Sequence, residues 1–335
     1  MEREWQLDYL KTFAIIMVII THIFLYNGIV PLPVVFPYAV EMAVPIFMII
    51  SGYVNTIFFM KRTPKEFLAG DWKIHFCSKL YVIYLPFLIL YFLEIILMYL
   101  IQKRTVGLHE AIYVFLTGGW GPGSYYIPML AQFIFCFPIL YYLVKKDMIK
   151  GSIIILGLQF LFELLVPVIP ISESLYRLLL IRYFVFIWFG ILLYFYRQRI
   201  KNRYIIAMAM VGSLSIALMN YSNYQMPIFR YWTSTSMPTI FWAGAIVMIG
   251  RYHLKRFSGV LDQAINRIGI STYYIYLVQM AYFQLGFGKI SNLFLVNFFV
   301  GILINCILGI IMYDLIQKIF RTIKKNRVRQ SKKRR

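Results

Sequence analysis

Long apolar stretches, separated by short basic segments, run along almost the whole chain. Ten of them approach the roughly 20 residues that an α-helix needs to cross about 30 Å of hydrocarbon. They cover residues 9–27, 36–59, 80–101, 125–144, 151–169, 181–196, 204–221, 238–250, 269–287 and 293–316. Neither an internal repeat nor a hydrophilic stretch long enough for a second domain breaks this pattern. The pattern predicts an all-α, polytopic integral membrane protein with about ten transmembrane helices.

The positions of the basic residues predict which side of the membrane each connecting segment faces. If the N-terminus lies in the cytoplasm, 28 of the 34 Lys and Arg residues fall in cytoplasmic segments. This bias follows the positive-inside rule. It predicts that both termini are cytoplasmic, with a transmembrane domain at 1–316 and a basic cytoplasmic tail at 317–335. We expect the protein in the plasma membrane.

Composition supports a membrane protein, with 61% hydrophobic residues and a mean hydropathy of +0.72. Only 14% of the residues are charged, yet the net charge is +21. Because the basic residues lie between apolar stretches, we interpret the excess as membrane topology and expect no nucleic-acid partner. The basic tail is expected to lie on anionic membrane lipids, and an acidic protein partner is the alternative.

The three cysteines and three of the four histidines indicate no metal site. The three cysteines have neither the CxxC nor the Cys/His spacing of a zinc site or disulfide framework; they are Cys77, Cys136 and Cys306. His75 and His253 lie in basic segments and His109 in a predicted outer loop. We expect all three histidines to be solvated.

The first apolar stretch, LDYLKTFAIIMVIITH (7–22), carries the most informative polar residues. Lys11 and His22 are eleven residues apart, close to three helical turns, so they share one face about 16 Å apart along the axis. Asp8 lies three residues before Lys11, within pairing distance. Ionisable groups at membrane depth usually face a protein interior or a wet cavity. The triplet therefore predicts a functional helix face, and an interfacial Lys with a capped His is the structural alternative.

This stretch resembles the opening of the membrane-bound acyltransferase 3 family, in which Leu-Asp-x-x-Arg/Lys is followed, after ten intervening residues, by a histidine. Here Lys11 and His22 occupy those two positions. Later segments resemble the family in the same order: VPIFMIISGYVNTIFF, GGWGPGSYYIPMLAQFIFCFPILYYL, IRYFVFIWFGILLY and ISTYYIYLVQMAYF. The resemblance covers nearly the whole chain.

The resemblance implies an integral membrane enzyme that transfers an acyl group, usually acetyl, to a surface carbohydrate or a lipid-linked precursor. It implies acetyl-CoA or another acyl-CoA as cytoplasmic donor substrate, and no bound cofactor. Lys11 would meet the anionic donor, and His22 would act as a base or carry the acyl group. A histidine pKa near neutrality suits proton transfer. His22, Lys11 and Asp8 are therefore the candidate catalytic residues.

The chain departs from the family at two places. Many members have two arginines before the third helix, whereas Leu80 and Ile83 stand here. Lys79, with help from Lys73, is then the candidate for donor binding. Gln279 stands where many members have a late histidine, and an amide cannot act as a base near pH 7. The family branch that resembles polysaccharide-adhesin export and modification proteins shows similar departures.

Candidate acceptor-binding residues lie on the predicted outer side. Arg177 and Arg182 flank the sixth span, and Glu163 lies in the fifth. An acid inside a span usually has a partner, so a structural ion pair is the alternative. Trp120 belongs to GGWGPGSYY (118–126), which would form either a lid over a sugar or a turn with interfacial aromatics.

The sequence thus favours a ten-helix O-acetyltransferase of a cell-surface polysaccharide or lipid-linked glycan. Because no extracellular hydrolase-like domain is fused to the helices, either the membrane domain or a separate extracellular transferase partner would complete the transfer. The rival hypothesis is a polysaccharide export component of the same fold, whose loss would remove the surface polymer itself. A polymerase or ligase of lipid-linked sugars would usually need a larger outer loop, and ranks below both.

Overall fold

The computed structural model describes residues 4–29, 34–61, 72–169, 171–221 and 236–333. The regular structure of these ranges is helical. Twelve α-helices are found there: α1 Trp5–Asn27, α2 Ala43–Phe59, α3 Trp72–Gln102, α4 Leu108–Thr117, α5 Tyr126–Lys146, α6 Met148–Leu165, α7 Glu173–Leu178, α8 Phe184–Phe195, α9 Asn202–Tyr221, α10 Ile240–Tyr252, α11 Gly259–Gln284 and α12 Phe294–Lys333. A π-helical turn, Phe36–Val40, precedes α2, and 3₁₀ turns, Leu180–Tyr183 and Met237–Thr239, precede α8 and α10.

The all-helical membrane fold predicted from the sequence is confirmed. Each of the ten predicted spans overlaps a helix, and seven helices in the described part of the chain are long and apolar enough to cross a membrane. Those seven are α1, α2 with its π-helical turn, α3, α5, α6, α9 and α12. Of the others, α8 and α10 are short, with 12 and 13 residues. The full count of ten therefore stays a prediction.

Local sequence explains several helix boundaries. α1 ends at Gly28, whose φ of 62° is the left-handed conformation that favours glycine at a helix C-terminus. Asp147 separates α5 from α6, and its carboxylate accepts a hydrogen bond from the Lys150 backbone N–H at 3.0 Å. This N-cap starts α6 directly after α5. The sequence did not predict α4 and α7, which lie in predicted outer loops.

Helices α2 and α8 approach each other closely through glycines. A Cβ added to Gly52 would lie 2.3 Å from the Ile187 carbonyl oxygen, and one added to Gly190 would lie 2.1 Å from the Ile49 oxygen. Real Cβ atoms do not approach a carbonyl oxygen so closely, so only glycine fits at these two positions. Gly52, in the segment VPIFMIISGYVNTIFF, therefore has a packing role.

The two ends of the described chain lie at the same end of the bundle. Phe24, late in α1, contacts Phe294 at the start of α12 with ring centroids 5.2 Å apart. Further along α12, Asp314 pairs with Arg267 of α11, next to Gly269, which lies against Asp8 of α1. Hence α12 runs back toward the start of α1, and Phe320 contacts Tyr81 of α3. We call this end the N-terminal end of the bundle and the opposite one the far end. α12 continues as one helix across the predicted tail boundary at 316/317.

Candidate active site

A cavity of about 760 Å³ lies inside the bundle beside α1. Its wall includes Lys11, Lys79 and Gln317 from the N-terminal end, and His22 and Arg177 from the far end. The cavity therefore extends along much of the length of α1. Five of the nine predicted site residues line it: Lys11, His22, Lys79, Arg177 and Arg182. The other four, which are Asp8, Lys73, Glu163 and Trp120, are outside the wall.

His22 is half-buried in the far half of α1 and faces the cavity. Its ring packs on Phe283 of α11, with centroids 5.6 Å apart. Its Nδ1 is buried and makes no hydrogen bond to any described residue. Its Nε2 lies next to Gly123, where an added Cβ would be 3.8 Å away. The imidazole is therefore held by packing, with its ring in the cavity wall, where it can exchange a proton with a bound group.

The predicted pair of Lys11 with Asp8 is confirmed, with Nζ 3.4 Å from Asp8 Oδ1. Asp8 is 2% exposed and lies under α11, whereas 26% of the Lys11 side chain is exposed and it lines the cavity. Asp8 therefore holds Lys11 from behind, and only the lysine faces the cavity.

The two donor-site lysines have different positions. Lys79 of α3 lines the cavity, and its Nζ lies 5.6 Å from the centre of the Phe58 ring. Lys73 is exposed near the start of α3, with its Nζ 5.5 Å from the Trp72 ring, and does not reach the wall. The structure brings only Lys79 to the same cavity as Lys11.

Arg182 is the most deeply buried cation in the wall, at 1% exposure. Its guanidinium carbon lies 4.2 Å from the Tyr176 ring centre and 5.0 Å from that of Tyr183. Both carboxylate oxygens of Glu163 are 2.9 Å from the Tyr176 hydroxyl, which donates to them. Glu163 therefore lies behind Tyr176 and supports the ring on which Arg182 stacks.

Arg177 reaches the far end of the cavity from the surface. It forms an ion pair with Glu173 of α7, and about half of each side chain is exposed. Such an exposed pair contributes little to stability. Arg177 therefore remains accessible to solvent and to the cavity.

Trp120 is not in the cavity wall. Its indole Nε1 donates to Glu110 of α4 at 3.1 Å, and its ring stacks on Tyr91 of α3 at 4.9 Å. The structure therefore places Trp120 against α3 and α4, and a lid formed by the segment 118–126 stays a prediction. The glycine-rich segment nonetheless reaches the cavity through Gly123, Tyr125 and Tyr126.

Sequence reasoning missed most of the tyrosines in the wall. Six line the cavity: Tyr125, Tyr126, Tyr183, Tyr273, Tyr274 and Tyr276. The run STYYIY in α11 was a signal, but tyrosines in a membrane protein are usually interfacial. His75 also differs from expectation: it is 8% exposed and stacks on Phe58 at 5.0 Å. Its position at the start of α3, against α2, explains its burial.

Among the described residues, no group of three or more His, Cys, Asp or Glu side chains could hold a metal ion. The cations and tyrosines of the wall instead match anionic and hydroxyl-bearing ligands. The wall thus combines one imidazole with basic groups at both ends.

The family comparison agrees with this arrangement. The family model described as an acyltransferase domain, that of the acyltransferase 3 family, matches residues 4–314. No curated protein and no solved structure matches the chain. Because the match spans nearly every helix that lines the cavity, the chain belongs to the acyltransferase 3 family and is a multi-pass membrane acyltransferase.

Proposed function

We propose that this protein transfers an acyl group, acetyl in the first instance, from acyl-CoA to a hydroxyl of a cell-surface polysaccharide or its lipid-linked precursor. One observation carries the proposal: His22 lines a cavity whose wall continues to Lys11 and Lys79 in one direction and to Arg177 in the other. A donor and an acceptor that enter from opposite ends would meet at the imidazole.

The N-terminal end suits the donor. Lys11 and Lys79 are point charges that attract phosphates, and acyl-CoA carries several. The distribution of Lys and Arg predicts that this end lies on the cytoplasmic side of the plasma membrane. Acyl-CoA is made in the cytoplasm. Of the donor candidates, Lys79 is in place in the wall, and Lys73 would act outside it.

In the proposed reaction the acceptor hydroxyl oxygen attacks the thioester carbonyl. A C–O bond forms, the C–S bond breaks, and CoA leaves as the thiol. His22 receives the hydroxyl proton and returns it to the sulfur. If His22 instead carries the acyl group, its nitrogen attacks first and the hydroxyl attacks the acyl-imidazole. On this second route CoA leaves as the thiol with the imidazole proton when the C–S bond breaks. The hydroxyl oxygen then displaces the imidazole, which takes back the hydroxyl proton.

The far end suits the acceptor. Arg182 and Arg177 supply donors for hydroxyl and carboxylate oxygens, and tyrosine rings such as Tyr125 provide flat apolar faces for sugars. A separate extracellular transferase partner would extend this end if the final acceptor is remote from the membrane.

The test uses purified protein in nanodiscs, radiolabelled acetyl-CoA and the host's extracted glycan. The wild type should label the glycan and His22→Ala should not. His109→Ala is the matched control because His109 is exposed on α4, outside the cavity wall. If folded wild-type protein transfers neither acetyl nor other short acyl groups, acyl transfer is rejected. Loss of the surface polymer in a deletion strain would then favour export.

A further inference from the structure

The segment that we call the glycine loop, residues 118–125, connects α4 to α5 and lies against α11 at three successive residues. The Gly121 backbone touches α11 so closely that an added Cβ would be 2.4 Å from the Met280 oxygen. Gln279 Nε2 donates to the Pro122 carbonyl at 3.4 Å, and the Tyr276 hydroxyl donates to the Gly123 carbonyl at 2.6 Å. Of the two hydrogen bonds, the one from Tyr276 to Gly123 is the shorter.

Gly123 is the point where the glycine loop, α1 and α11 meet. Its φ of 84° requires glycine. A carbon atom at its Cβ position would lie 3.8 Å from His22 Nε2 and 3.6 Å from Tyr276 Cε2, both ordinary van der Waals distances. The backbone of Gly123 therefore forms one side of the space next to His22 Nε2.

We propose that Tyr276 is a positioning residue for His22. Its hydrogen bond to the Gly123 carbonyl holds the glycine loop against the imidazole, so that the loop backbone limits access to Nε2 and fixes the position of a group that binds there. The positioning rests on geometry alone, and its consequence for acyl transfer rests on the proposed function.

Tyr273 offers a matched control on the same helix. Its hydroxyl donates to the Ile83 carbonyl of α3 at 2.7 Å, and the residue lines the same cavity. Tyr273→Phe and Tyr276→Phe each remove one phenol hydroxyl that donates to a backbone carbonyl. Only Tyr276→Phe removes a hydrogen bond to the glycine loop.

The test measures the reactivity of His22 toward diethyl pyrocarbonate in nanodiscs, and so does not depend on acyl transfer. An imidazole nitrogen attacks one carbonyl of the reagent, the anhydride C–O bond breaks, and the ring proton goes to solvent while carbon dioxide and ethanol leave. Mass spectrometry gives the labelling rate of His22 relative to exposed His109. We expect Tyr276→Phe to raise this ratio about fivefold, the population change that loss of one ordinary hydrogen bond produces. Tyr273→Phe should leave it at the wild-type value.

Two results would overturn the proposal: an unchanged ratio in Tyr276→Phe, or an equal rise in Tyr273→Phe. A second arm measures acyl transfer, where Tyr276→Phe should lower kcat about fivefold. It should leave the KM for acyl-CoA unchanged, because Lys11 lies about 16 Å along α1 from His22 and the loop beside it. A fall in donor affinity with unchanged kcat would contradict positioning. If wild-type protein transfers no acyl group, the proposed function fails, and the labelling ratio still decides the role of Tyr276.

Discussion

The first half of α1 and the stretch around His22 in its second half use polar residues differently, whereas Asn27 at the end of the helix accepts a hydrogen bond from Asn297 of α12 at 2.7 Å. In the first half, polar side chains contact other elements: Glu4, just before the helix, pairs with Arg251, and Thr12 donates to the Ile265 carbonyl at 2.7 Å. In the second half, His22 faces the cavity and its Nδ1 makes no hydrogen bond to a described residue.

This difference separates, within one helix, polar residues that stabilise the fold from polar residues that can bind a ligand. A buried polar group that forms a hydrogen bond or ion pair with a neighbouring helix offsets the free-energy cost of its burial and stabilises the bundle. A group that faces a cavity contributes little to the fold and remains available to a ligand. Lys11, in the first half, has both roles, because it pairs with Asp8 and also lines the cavity.

The largest expected effect is on activity, in the second half. His22→Gln should lower acyl transfer by about 100-fold or more, the usual range for loss of a general base. Its thermal midpoint should stay close to that of the wild type, because the buried Nδ1 makes no hydrogen bond to a described residue that the substitution would remove. Activity assays and thermal unfolding in detergent measure the two quantities. A lowered midpoint would place His22 among the structural residues of the first half.

The next effect is on stability, in the first half. A Cβ on Gly269 would lie 2.3 Å from the Asp8 carbonyl oxygen, so Gly269→Ala should force α11 away from α1. The free energy of unfolding should fall by about 1–3 kcal/mol.

Gly157→Ala in α6 is the control for this substitution, because nothing lies within 4 Å of its added Cβ. It should be neutral or stabilise the helix by about 0.5–1 kcal/mol. Equal losses in both variants would show that the cost is not the α1–α11 contact. Denaturant unfolding in detergent measures both.

A smaller effect compares two threonines of α1. Thr12→Val removes a hydrogen bond to another helix and should lower the free energy of unfolding by about 1 kcal/mol. Thr21 Oγ1 bonds the Met17 carbonyl of its own helix at 2.9 Å. Thr21→Val should therefore change stability less, because the helix backbone already supplies that carbonyl with a donor. If Thr21→Val costs as much as Thr12→Val, the proposed difference between the halves is wrong.

The smallest effect is a pH dependence at the N-terminal end. Asp262 accepts hydrogen bonds from Arg256, from Tyr9 of α1 and from Asn266. These donors lower its pKa below the usual value. Because its pKa is lowered in the folded state, the ionised Asp262 carboxylate stabilises the fold fully above its unfolded pKa of about 4. This stabilisation is lost as the pH falls through the folded pKa. The thermal midpoint of the wild type should therefore drop in acid more steeply than that of Asp262→Asn. Parallel curves would remove Asp262 from the contacts that stabilise α1.

The sequence by itself determined the helices and one face of α1. Apolar stretches must form helices in a bilayer because every backbone N–H and C=O needs a partner, and each predicted span overlaps a helix. The Lys11–Asp8 pair and the shared wall of Lys11 and His22 followed from helical periodicity, which is local. These features depend on residues close together in the chain.

Only the tertiary structure decided which of the other polar residues join His22. It brings Arg182 and Tyr276 to the cavity, places Glu163 behind Tyr176, and pairs Trp120 with Glu110 on α4. It also gives Gly52 a packing role and buries His75. The physical reason is that helix periodicity fixes directions within one helix but not the rotation and approach of neighbouring helices. Those depend on close contacts such as Gly52 on Ile187, between residues far apart in the sequence.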